Sequence, residues 1–148
     1  MNNAEIEKAF INMKEGIISK EGFLGNDERS LSKIISADEK KMKELNISFE
    51  LISKKMEAIA AEAKKGLGEK VIIESKWEAK ADETRGYLNC PFSDEISRKN
   101  IIEVINIKNS KKILFSELSI HLMKVHHFLQ GNGSIYRLDP KTLKEVLG

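Results

Sequence analysis

The chain has 148 residues, of which 41% are hydrophobic and 32% charged, and its formal net charge is +2. These values predict one globular domain with an adequate core. The charge is nearly balanced and only 6% of the residues are aromatic. This composition argues against a nucleic-acid-binding protein, which would need a basic face or a platform for base stacking. It is still compatible with a local basic patch that binds phosphate.

A single cysteine, Cys90, excludes an intramolecular disulfide. That usage fits a reducing compartment. The first ten residues carry acidic side chains where a signal peptide would have basic ones. No apolar run approaches the roughly 20 residues that span a bilayer. We therefore expect a cytoplasmic protein with no membrane partner.

Residues 1–68 predict three helices, because apolar residues recur there at the spacing of one helix face. The first helix starts with a capping pair, Asn2 and Glu5. The second covers residues 31–45, and the third begins after a cap at Ser48. Gly22 and Gly25 mark a turn between the first two helices.

Asp38 is unusual, since in a continuous second helix it would lie in the middle of the apolar stripe. A buried carboxylate is costly unless it is paired, and it would then indicate a site. Ser36 and Glu39 have the spacing of a capping box, so the helix could instead break at Ser36 and restart. Asp38 would then stabilise the new helix N-terminus. We favour the break.

Residues 69–148 predict a sheet with helices after it. Apolar and polar residues alternate from Ile73 to Lys80, as in a half-buried strand. Other predicted strands cover residues 84–89, 101–107, 112–115 and 135–138, with a loop over 92–99. A final helix over 141–147 is capped by Asp139 and opened by Pro140.

Helices first and closely spaced strands later predict an α+β fold with a mainly antiparallel sheet of about four strands. We expect a C-terminal helix to pack on this sheet. The whole chain, 1–148, is predicted to form a single domain, because neither a linker nor a repeat divides it.

All three histidines, His121, His126 and His127, lie on one helix predicted from a Ser116 cap to Gly131. Imidazoles are the side chains best suited to chemistry at neutral pH. However, His121 and His126 fall on opposite flanks of the apolar stripe, and His127 points away from it. No pair has the i, i+4 spacing of a zinc-protease helix. The sequence therefore assigns no metal site, and metal binding is a weaker alternative to histidines at the edge of the core.

The same helix has a second, partly apolar face formed by Ile120, Met123 and His127. A helix that is apolar on two sides is buried on two sides. Either a neighbouring element or another subunit must cover this face. The pattern therefore predicts a helix between two layers or a homo-oligomer.

Other polar residues could complete a site around one of the histidines. Glu117 lies four residues before His121 and could set its tautomer. Arg85 could hold a carboxylate or phosphate through two hydrogen bonds. Tyr136 and Arg137 follow a Gly-Asn-Gly-Ser turn that lacks a phosphate-loop signature but could form a small anion nest.

No motif names a reaction or a cofactor, so two hypotheses stay open. The first is a site for a small, anionic ligand near the histidine helix, with catalysis left open. The second is a non-enzymatic protein that associates with itself. Cys90 is interpreted as a small buried hydrophobe rather than a thiolate nucleophile. The candidate ligand-binding residues are His121, Glu117, Arg85, Tyr136, Arg137, His126 and His127.

Overall fold

The structure is a computed structural model that describes residues 2–148. Helices come first and strands later, which confirms the predicted α+β class. In chain order the elements are α1 (Asn3–Asn12), α2 (Leu31–Glu44), α3 (Phe49–Lys64), β1 (Val71–Ile73), β2 (Trp77–Asp82), β3 (Tyr87–Asn89), β4 (Ile96–Arg98), β5 (Ile101–Asn106), β6 (Lys112–Ser116), α4 (Glu117–His126) and α5 (Pro140–Leu147).

The main sheet is antiparallel throughout and has the strand order β1-β2-β5-β6. Side chains alternate across it, so Ala79 and its partner Val104 are buried while Lys80 and Glu103 are partly exposed. This alternation is the period-two pattern that the sequence shows. One face of the sheet therefore belongs to the core and the other faces solvent.

Helices α3, α4 and α5 contribute to the core cluster on the buried face of the sheet. The indole Nε1 of Trp77 donates to the carbonyl of Val146 at 2.7 Å and so ties β2 to α5. As predicted, α5 opens at Pro140, and Asp139 caps it by accepting from the backbone N–H of Thr142.

Helix α4 lies between two layers, as its two apolar faces predict. Ile120 and Met123 belong to the core cluster that contains α3 and the sheet. Leu118 and Leu122 belong to a second cluster that contains residues of α1 and α2. Because the same chain buries both faces, the second face gives no reason to expect another subunit.

Several predicted strand boundaries are wrong. The alternation from Ile73 spans a hairpin, since Glu74 and Ser75 both have positive φ, 54° and 58°, and join β1 to β2. The predicted loop over 92–99 contains β4, which pairs with β3 in a separate two-stranded sheet. No strand forms at residues 135–138, where the chain makes turns.

The predicted break in the second helix is also wrong. Helix α2 is continuous, and the hydroxyl of Ser36 donates to the carbonyl of Ser32 within it. Asp38 is consequently buried, with 5% exposure. A buried partner, Arg137, compensates its charge and removes the need for a break.

No helix in residues 2–148 is both long and apolar enough to cross a bilayer.

Candidate metal centre

The end of α4 fixes the directions of its last histidines. A reciprocal capping box between Ser116 and Ser119 starts the helix, as the serine cap predicts. The helix ends at His126, not at Gly131, because His127 takes a left-handed conformation with φ 54°. His126 therefore lies on the last turn, where its ring stacks on Phe92 with centroids 3.9 Å apart and an interplanar angle of 11°.

The connection between β3 and β4 is a tight turn that follows Cys90. The backbone N–H of Cys90 donates to the carbonyl of Glu95 at 2.9 Å, and that of Ser93 donates to the carbonyl of Cys90 at 2.8 Å. The side chain of Asn12 on α1 donates to the carbonyl of Pro91 at 2.9 Å. The first two bonds close the turn, and the third holds it against α1.

This turn and α4 bring four metal-binding side chains together. Oδ1 of Asp94 lies 2.9 Å from Nε2 of His121, and Oδ2 lies 2.7 Å from Nε2 of His126. Ligand atoms of Cys90, Asp94, His121 and His126 all lie within 4.8 Å of one another. We call these four residues the Cys-Asp-His-His cluster.

The cluster is buried on one side and open on the other. Cys90 is 1% exposed, and the side chains of His126 and His121 are 10% and 15% exposed. The Asp94 side chain is 37% exposed. An ion could therefore reach the cluster past Asp94 without opening the core.

Charge is distributed unevenly within the cluster. Burial acts to raise the pKa of Asp94, but hydrogen bonds from Cys90 and His121 and the nearby imidazoles lower it to about 2. Burial, aided by the nearby His121 and His127, lowers the pKa of His126 against the opposing effect of Asp94. At neutral pH the cluster thus contains a carboxylate beside a neutral His126, an arrangement ready to accept a cation.

Cys90 is not suited to be a nucleophile in the absence of a metal. Burial, and secondly its hydrogen bond to Asp94, raise the pKa of its thiol to about 12. Only the thiolate attacks readily, and it would be scarce here at neutral pH. Cys90 is buried, as predicted. Its sulfur also lies within 4.8 Å of ligand atoms of Asp94 and two histidines.

Of the seven candidate residues from the sequence, only His121 and His126 belong to the cluster. Glu117 does not orient His121: its carboxylate accepts from Lys64 and, at 3.2 Å, from the side chain of Asn100. His127 lies elsewhere, with its Nδ1 2.8 Å from Glu39.

The other three candidates are also separate from the cluster. Arg137 pairs with the buried Asp38. Arg85 lies exposed in the connection between β2 and β3. Tyr136 is half-buried and lines a different cavity, whose lining includes none of the cluster residues. The structure therefore does not bring Arg85, Arg137 or Tyr136 into the Cys-Asp-His-His cluster.

Sequence reasoning missed the roles of Cys90 and Asp94. Asp94 falls in the predicted loop over 92–99, and Cys90 follows the predicted strand 84–89. Asp94 precedes the two histidines that it contacts by 27 and 32 residues. The available signal was local: a cysteine and an aspartate four residues apart, in a chain with two histidines five residues apart.

Comparison with protein-family models, with curated proteins and with solved structures gives no match. The interpretation of the cluster therefore depends on its geometry and chemistry alone.

Proposed function

We propose that this protein binds a divalent transition-metal ion, with Zn²⁺ as the best fit, through the Cys-Asp-His-His cluster. The observation that carries the proposal is the approach of one sulfur, one carboxylate and two imidazole ligand atoms within 4.8 Å of one another.

The donor set favours zinc over the alkaline-earth ions. Zn²⁺ is bound by cysteine sulfur, histidine nitrogen and carboxylate oxygen, whereas Mg²⁺ and Ca²⁺ prefer oxygen ligands alone. The thiolate and imidazoles also suit other late first-row metals, among which geometry and availability decide. Zinc, which accepts tetrahedral coordination readily, fits a set of four.

The spacing needs only small movements for a tetrahedral ion. Ligands at zinc distances of 2.0–2.3 Å lie about 3.3–3.7 Å from one another. The carboxylate of Asp94 is now closer than that to both imidazoles, at 2.9 and 2.7 Å. A rotation of the exposed Asp94 side chain would exchange these two hydrogen bonds for metal ligation.

The proposed role of the ion is to join two parts of the fold. Cys90 and Asp94 come from the turn between β3 and β4, while His121 and His126 come from α4. Four protein ligands are typical of structural zinc sites, because catalytic sites keep a position for water. A lone two-stranded hairpin is marginally stable, so it would gain most from this connection.

Metal ligation also requires Cys90 to stay reduced. This need agrees with the cytoplasmic location expected from the single cysteine. We therefore propose that the protein is cytoplasmic.

Isothermal titration of the chelator-treated protein with Zn²⁺ tests the proposal. We expect one ion per chain, with affinity reduced at least tenfold in Asp94→Asn and in Cys90→Ser. His127→Ala is the matched control, because His127 is on the same helix end but outside the cluster. Absence of saturable zinc binding, or equal losses in His127→Ala and Asp94→Asn, would contradict the proposal.

A further inference from the structure

A second cavity, of about 450 Å³, lies away from the cluster. The connection between α1 and α2 lines one side of it over residues 18–23, and the beginning of β5 and the end of β6 line another. Gln130 and Tyr136 complete the wall. The volume falls in the range of small-molecule sites, and the cavity shares no residue with the metal centre.

Gln130 presents an unused hydrogen-bond donor there. It is only 3% exposed, and its Oε1 accepts from the hydroxyl of Ser134 at 2.6 Å. In the described part of the chain, nothing accepts a hydrogen bond from its Nε2, while every fully enclosed side-chain nitrogen or oxygen has a partner. The Nε2 atom is therefore not fully enclosed by protein, and it borders the cavity that Gln130 lines. A ligand that enters the cavity can therefore supply an acceptor for this N–H donor.

Tyr136 supplies a second donor to the same cavity. The side chain is half-buried, and its hydroxyl has no hydrogen-bond partner within residues 2–148. Burial, and secondly the charge of Glu21, raise the pKa of this phenol. The hydroxyl thus stays protonated and able to donate over the whole physiological range.

The side chains that line the cavity carry a net charge of +1. Lys20 and Lys99 are exposed on its lining, and Glu21 is the single acidic residue there. The remaining wall combines apolar side chains, among them Ile18 and the buried Phe23, with three hydroxyl-bearing residues. It therefore suits a ligand that has an apolar part and a negatively charged group that accepts hydrogen bonds.

We infer that this cavity binds a small monocarboxylate with an apolar body, whose carboxylate accepts hydrogen bonds from Nε2 of Gln130 and the hydroxyl of Tyr136. The two lysines add longer-range attraction for the anion, and Ile18 and Phe23 contact its apolar part. This inference is independent of the metal centre.

Titration of the ¹⁵N-labelled protein with hexanoate, followed by amide chemical shifts, tests the inference. We expect saturable shifts at cavity residues, and binding at least tenfold weaker for hexanamide, which keeps the shape but not the charge. Tyr136→Phe removes one oxygen and should weaken hexanoate binding about tenfold, the usual worth of a hydrogen bond to a charged group. Tyr87→Phe, at the exposed tyrosine of β3, is the control and should bind like the parent.

Three results would overturn the inference: shifts at cavity residues that do not saturate, equal affinity for hexanoate and hexanamide, or an unchanged affinity in Tyr136→Phe. A third variant, Ile18→Trp, should abolish binding by filling the cavity, and retained binding in this variant would also contradict the inference. Zinc content measured on the same samples reports on the metal centre separately, so failure of one proposal is distinguishable from failure of the other.

Discussion

Arg137 donates to both carboxylate oxygens of Asp38, with its second nitrogen 2.8 Å from Oδ1, across 99 residues of sequence. Both side chains are largely buried, at 14% and 7% exposure. Arg137 also donates to the carbonyl of Gln130 at 2.9 Å. The pair therefore fixes the segment after α4 against α2.

Removing one partner should leave a buried, uncompensated charge. We expect Asp38→Ala to lower the free energy of unfolding by about 3 kcal/mol or more, since breaking a buried pair typically costs 3–5 kcal/mol. Urea denaturation measures this loss. The control is Lys65→Ala, which removes an exposed pair with Glu62 and should cost under about 1 kcal/mol. Equal costs for the two variants would contradict the structural role of the buried pair.

Gly131 should tolerate no side chain. A Cβ there would lie 2.2 Å from the carbonyl oxygen of Leu24, which is backbone and cannot rotate away. We expect Gly131→Ala to cost about 3 kcal/mol, at the upper end of overpacking effects. Gly68→Ala is the comparison, because Gly68 has φ 92° but open space around it. Backbone strain alone should cost about 1 kcal/mol there. Thermal unfolding of both variants measures the two losses, and a larger loss in Gly68→Ala would contradict the close contact at Gly131.

Asp27 should make stability depend on pH. Hydrogen bonds from the Arg29 side chain hold the pKa of Asp27 far below its usual range. Burial opposes this effect, and a hydrogen bond from the backbone N–H of Asn132 adds to it. A depressed carboxylate pKa stabilises the fold above the unfolded pKa of about 3.9, and that contribution is lost as the pH falls toward the folded pKa.

We therefore expect Asp27→Asn to lower the free energy of unfolding by about 2 kcal/mol at pH 7, a typical worth for hydrogen bonds to a charged group. The difference from the parent should shrink steadily below about pH 4. Urea titrations at pH 7 and pH 3 measure it, with Glu28→Gln at the exposed neighbouring residue as control. A difference of the same size at both pH values would show that ionised Asp27 is not responsible.

Zinc should stabilise the β3–β4 hairpin more than the main sheet. The hairpin has three residues in each strand and provides two of the four ligands. We expect hydrogen exchange of the amides of Tyr87–Asn89 and Ile96–Arg98 to slow at least tenfold on zinc binding, because binding to the folded form alone adds its free energy there. Equal protection of β5 and the hairpin would instead indicate a global effect.

Local chemistry made much of the fold predictable. Serine caps at Ser48 and Ser116 and the Asp139-Pro140 start all mark true helix beginnings, because a cap acts within one turn. The β-branched residues of 101–107 and the turn before 112 likewise predicted β5 and β6. The errors lie where distant residues decide. Asp38 stays in an unbroken helix only because Arg137 reaches it.

The Cys-Asp-His-His cluster shows the same limit. The angular argument correctly excluded three ligands from α4 alone, yet two histidines on its flanks do meet at Asp94. Their meeting depends on the packing of the β3–β4 turn, which carries Asp94, against α4. That packing cannot be derived from the spacing of the histidines.

Cobalt substitution tests the central claim most directly. Co²⁺ added to the chelator-treated protein should give the strong visible absorption of a tetrahedral site together with a sulfur-to-metal charge-transfer band in the near ultraviolet. Cys90→Ser should lose the charge-transfer band, and Zn²⁺ should displace cobalt from the parent protein because both metals use this donor set. Weak, octahedral-type absorption without a thiolate band in the parent would contradict the Cys-Asp-His-His metal centre.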